Sequence, residues 1–136
     1  MRLHHVGYAT KDIKRSVNFL RKAMSVKSVS EIIHDPLQEA DLCMVELEDN
    51  SMVEFISGKV VENILSKRVN LYHICYEVDD ICVEKDRLIK AGAVVVSEDK
   101  TAVLLGGALV CFLLTPIGLI ELMQMGQRNE YSGNHS

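Results

Sequence analysis

The chain carries its own repeat. Residues 3–26 (LHHVGYATKDIKRSVNFLRKAMSV) align with residues 71–94 (LYHICYEVDDICVEKDRLIKAGAV) at an offset of 68, with nine identities in 24 positions and no gap. The identical pairs include Leu3/Leu71, His5/His73, Tyr8/Tyr76, Asp12/Asp80, Ile13/Ile81 and Leu20/Leu88. The ends of the two copies match as well: Met52-Val53-Glu54-Phe55 stands against Leu119-Ile120-Glu121-Leu122, at offset 67. Two copies with so long a period do not make a solenoid. They predict two paralogous modules packed together.

Each copy has the same grammar. An alternating strand over 3–9 and 71–78 is followed by a helix over 12–24 and 80–91, with Thr10 or Asp12, and Asp79 or Asp80, able to cap it. Ile13, Val17, Leu20 and Met24 recur at helical spacing, which gives a stripe that faces a sheet. Three strands close each copy: 28–33, 41–48 and 51–57, then 94–97, 102–105 with 109–114, and 118–124. The fold class expected is α+β, two paired βαβββ modules forming a curved mixed sheet. The modules span 1–57 and 71–125, with a linker at 58–70 that has room for a helical turn and a frayed tail at 126–136.

Composition sets the class of protein. With 136 residues the chain can bury roughly 65–70% of its unfolded surface. It is 48% hydrophobic and 25% charged, with a net charge of −4. The absence of Trp, the 5% aromatic content and scattered Lys and Arg argue against nucleic acid as a partner. Cys43, Cys75, Cys82 and Cys111 show no C-x-x-C spacing, and no positive segment leads an apolar stretch at the N-terminus. Free thiols and a cytoplasmic location are therefore expected. Ala102–Ile120 is uncharged for 19 residues, long enough for a membrane helix. Gly106-Gly107 and Pro116-Ile117-Gly118 cut it into strand-length pieces, so no membrane association is expected.

The repeat also pairs chemistry-bearing residues. His5 and His73 fall on the first strand of each copy, Glu54 and Glu121 on the last. Taken singly, each has an ordinary reading as a core histidine or a solvated strand carboxylate. Taken together, symmetric positions would bring two imidazoles and two carboxylates to one place, a suitable set for a divalent cation. His4, His34 and His135 have no repeat partner and are left out.

With these motifs the sequence resembles the vicinal oxygen chelate superfamily of glyoxalases, bleomycin resistance proteins and dioxygenases, over about residues 2–125. LHHVGYATKDI is similar to the opening metal-His motif and VEFIS to the second-ligand strand. LYHICYEVDDI and the run through TPIGLIELMQ are similar to the third- and fourth-ligand segments of methylmalonyl-CoA epimerases. The resemblance implies a single glyoxalase-like domain, one divalent metal ion (Zn, Co, Ni, Mn or Fe) on His5, Glu54, His73 and Glu121, and a homodimer. It implies an isomerase or epimerase that removes a proton α to a carbonyl of an acyl-CoA or related carboxylated small molecule, with Glu121 as ligand and base. The alternatives are a glyoxalase-type lyase, another metal-dependent member, or a non-catalytic binding module. One departure stands out. In Asp35-Pro36-Leu37-Gln38-Glu39 the position of the epimerases' second base holds Leu37: either Glu39 takes that role by a small loop shift, or the protein is not a two-base epimerase.

Overall fold

Two aspartates at equivalent places in the repeat start the two long helices, and the strands around them follow the same plan twice. The computed structural model describes residues 1–125; the expected tail at 126–136 lies outside them. By contacts the chain divides into two compact units, His4–His73, and Met1–Leu3 with the chain from Ile74.

The first unit contains β1 (Arg2–Ala9), α1 (Ile13–Ala23), β2 (Val26–Val29), β3 (Ile33–Asp35), β4 (Ala40–Leu47) and β5 (Met52–Gly58). A short 3-10 turn (Lys59–Val61) and α2 (Glu62–Ser66) follow. The strand order is β2-β4-β5-β1, with β3 also on β4. β1 runs parallel to β5, pairing Val6 with Val53, Gly7 with Glu54 and Tyr8 with Phe55. Asp12 caps α1 by accepting from the Arg15 amide at 3.1 Å, while Thr10 bonds Ser16 at 2.7 Å. Ile13, Val17 and Leu20 of the helical stripe bury against Cys43, Val45 and Phe55.

β6 (Leu71–Glu77) begins in the first unit and from Ile74 belongs to the second, which continues with α3 (Ile81–Lys90), β7 (Val94–Ala102), β8 (Ala108–Thr115) and β9 (Gly118–Gln124), in the order β6-β9-β8-β7. The parallel register recurs: Ile74 with Ile120, Cys75 with Glu121, Tyr76 with Leu122. Asp80 caps α3, accepting from the Cys82 and Val83 amides. Ile81 packs with Cys111, Leu113, Ile120 and Leu122, the repeat equivalents of Ile13, Cys43, Val45, Val53 and Phe55. The α+β class and the twofold βαβββ grammar are thus what the protein adopts.

Two expected strands differ. The single strand at 28–33 is two, β2 and β3. At Ser30 the side chain takes over the ladder: the Met44 amide donates to Ser30 Oγ at 2.8 Å while the Ser30 amide donates to the Met44 carbonyl. The chain therefore turns off the edge there. The strand expected at 102–105 is a 3-10 turn, Val103–Leu105, and β7 runs on to Ala102. Gly106 and Gly107 have φ of 68° and 79°, a left-handed pair that suits glycine and closes the turn through the Gly107 amide on the Ala102 carbonyl. The uncharged run is thereby spent on a turn and two strands. Among the described residues no helix is long and apolar enough to cross a membrane.

Candidate metal centre

Strand alternation sorts the residues of β1 and β5 between two faces. Val53 and Phe55 turn toward α1 and its core cluster, so Glu54 between them points to the other face. His5 and Gly7 share one face of β1 by the same two-residue period. His73 follows on β6.

The structure brings His5, Glu54 and His73 together within the first unit. Their exposures are 1%, 6% and 3%. His5 Nε2 lies 3.0 Å from His73 Nε2, and each lies 3.3 Å from the same oxygen, Glu54 Oε1. Burial alone would push the Glu54 carboxyl up. The hydrogen bonds and charge of His5 and His73 outweigh it and hold the carboxyl below its ordinary value. Two imidazole nitrogens and an ionised carboxylate converging out of water make a donor set suited to a divalent cation. Glu121, in the second unit, is buried on β9 opposite Phe112 of β8, at the repeat position of Glu54.

Two contributors were not legible in the sequence. His4, which has no repeat partner, lies with its Nδ1 2.8 Å from His5 Nδ1, so it holds the ring whose Nε2 faces Glu54. Gly7 makes room: a Cβ there would meet the His73 ring. The only hint was that the repeat places Cys75 opposite Gly7.

Glu39 is not among the residues grouped with His5, Glu54 and His73. It lies on the exposed turn between β3 and β4, its side chain 64% exposed, with Oε2 3.7 Å from Lys59 Nζ. The turn is built by Asp35, which is buried and accepts from the Leu37 amide at 2.9 Å and Gln38 Nε2 at 2.7 Å. Glu39 itself has φ of 52°, and its carbonyl accepts from the Lys59 amide at 3.2 Å. Gly58 allows that approach, since a Cβ there would sit 2.6 Å from the Glu39 carbonyl oxygen. This backbone geometry directs Glu39 to Lys59, and it does not join the buried histidine–glutamate set.

Comparison with known proteins gives three points of reference. A protein of Cereibacter sphaeroides named ethylmalonyl-CoA/methylmalonyl-CoA epimerase is 29% identical over 118 residues, 82% of this chain and 87% of the other. The crystal structure of methylmalonyl-CoA epimerase from Mycobacterium tuberculosis superposes with a TM-score of 0.79 at 17% identity, over 96% of this chain and 91% of that one. A Streptomyces coelicolor methylmalonyl-CoA epimerase variant in complex with 2-nitronate-propionyl-CoA superposes at 0.70 with 19% identity, over 93% and 96%. The two solved structures share the fold. The family model for the Glyoxalase/Bleomycin resistance protein/Dioxygenase superfamily matches residues 4–112, and with that match over most of its length the chain belongs to this superfamily.

Proposed function

We propose that this protein is a metal-dependent epimerase that removes and returns the proton α to a thioester carbonyl, with an acyl-CoA as substrate. The observation that carries the reading is the buried convergence of His5 and His73 on one Glu54 oxygen, in a chain 29% identical to a named acyl-CoA epimerase. His5, Glu54, His73 and Glu121 hold one divalent ion. Support for the fourth ligand is its burial and its repeat equivalence to Glu54. When bound, the ion supplies charge neutralisation for the carbonyl oxygen as the α-proton leaves.

The protein's own groups do the rest. With the ion bound, His5 and His73 would serve as neutral imidazole ligands in place of the protonated rings that face Glu54 without it, and Glu54 would remain ionised. Glu121 serves as ligand and base, taking the proton from one face of the substrate. Inversion needs a proton delivered to the opposite face. On this reading Glu39 leaves Lys59, takes a proton from solvent, turns inward and delivers it to the α-carbon, while Glu121 releases to solvent the proton it removed. A homodimer through exposed sheet edges and a cytoplasmic setting complete the proposal.

A second reading is favoured by the observed place of Glu39. With that carboxylate beside Lys59, Glu121 alone would move the proton, as a glyoxalase-type isomerisation requires. One experiment separates the two. Protein purified without chelator is assayed for metal, then incubated in D2O with methylmalonyl-CoA and ethylmalonyl-CoA while deuterium uptake and inversion are followed separately. The epimerase reading expects about one ion per chain and both signals. Deuterium uptake without inversion would select the one-base reading, and metal-free protein without either signal would remove both.

A further inference from the structure

The repeat supplies an internal standard for how a helix of this fold meets solvent, and α1 departs from it. Residues 79–91, around α3, carry four carboxylates and three cations. All three cations are paired: Arg87 with Glu84 at 3.2 Å, Lys90 with Asp86 at 2.9 Å, Lys85 with Asp99 at 2.6 Å. The equivalent residues 11–23 carry five cations, Lys11, Lys14, Arg15, Arg21 and Lys22, against the one carboxylate of Asp12. None of the five makes an ion pair among the described residues. Asp12 is committed to capping the helix.

Apolar groups have moved the other way. Where α3 has Arg87, α1 has Phe19, 65% exposed; where Gly92 ends the second helix, Met24 follows the first, 51% exposed. Behind them the first unit opens a cavity of about 760 Å³. Leu20 and Phe55 form its buried floor, Tyr8, Phe19 and Met24 its apolar wall, and its charged lining is Lys11, Arg15 and Asp12, whose carboxylate is held by the Arg15 amide. That volume is within the range of small-molecule sites, roughly 300–1,000 Å³. Because Phe55 and Glu54 are neighbours on β5, this cavity lies on the sheet face opposite Glu54.

We infer that the α1 cavity is a second binding site, for a small amphiphile with an alkyl chain and an anionic head. The chain lies against Leu20, Phe55 and Phe19, and the head meets Lys11 and Arg15. The inference is independent of the epimerase reading. A second copy of this chain fits less well, because a twofold contact would set the same unpaired cations against each other. A membrane surface fits less well too, because Ile13, Val17 and Leu20 of the helix are spent on the core, which leaves Phe19 as the one large apolar side chain within α1 that faces outward, with Met24 at its end.

Calorimetric titration of the full chain with monomeric dodecanoate tests this, with dodecyltrimethylammonium as the cationic control. Saturable uptake of one dodecanoate is expected, with little uptake of the control. Phe19→Arg, which installs the residue the second copy uses, should weaken binding about 10-fold. The double variant Lys11→Glu/Arg15→Glu should weaken it by a similar factor of about 10. Both variants sit on exposed or rim positions and should keep circular dichroism, metal content and oligomeric state. No dodecanoate uptake, or equal uptake by both variants or of the cationic control, would overturn the inference. So would binding confined to phosphatidylglycerol vesicles, or a dimer that Phe19→Arg dissolves in a protein that takes up no dodecanoate.

Discussion

Gly7 has no side chain where the His73 ring needs the room. Gly7→Ala should therefore displace a ring that is buried and bonded to Glu54, with a stability loss of about 1–3 kcal/mol and reduced metal uptake, read by thermal melting and metal analysis. His73→Ala leaves space instead of a clash; we expect a folded protein that takes up less than about a tenth of the parent's metal, because one of the donors is gone. The thiols offer a check that does not depend on the metal. Burial pushes the Cys111 thiol up to about 11 and raises Cys43 as well, and Cys75 is fully buried, whereas Cys82 is exposed on α3. Titration of native protein with a thiol reagent should show one fast group per chain and three more after denaturation, and Cys82→Ser should remove the fast one.

At the scale of elements, the two helix caps are equivalent in sequence and in role. Asp80 accepts from two amides, so Asp80→Ala should cost about 1 kcal/mol in chemical denaturation and leave metal content unchanged. The β3–β4 turn is the element on which the choice of chemistry rests. Its conformation is held by buried Asp35 below and by Lys59 alongside Glu39. Glu39→Gln should cut inversion of the substrate by roughly 10²-fold and leave deuterium exchange at the α-carbon, the signature of losing one of two proton carriers. If inversion persists in that variant, the turn has no catalytic part. The position of Glu39 was not legible from the motif. Its distance from any reference motif along the chain says nothing of a φ of 52° or of a lysine 20 residues on.

For the whole molecule, the proposed ion would couple binding to stability. A divalent cation at about 1,000 times its dissociation constant should stabilise the fold by about 4 kcal/mol, and chelation should remove that increment. Its affinity should fall as pH is lowered, because the histidine ligands must be unprotonated to hold the ion. A melting temperature indifferent to chelator would count against the assigned ligands. The duplication, the α+β class, the repeat equivalence of His5 with His73 and of Glu54 with Glu121, and the narrowing of each helix cap to two candidates were readable from the amino-acid sequence alone. They are matters of identity and period along one chain. Tertiary structure alone decided that Ser30 breaks a strand by substituting its hydroxyl into the ladder, and that Gly7 clears space for a ring 66 residues away. It also decided that Glu39 faces Lys59, and that a cavity opens beside α1. Each of these depends on which distant group comes within a few ångströms, and a linear pattern of residues does not encode that distance.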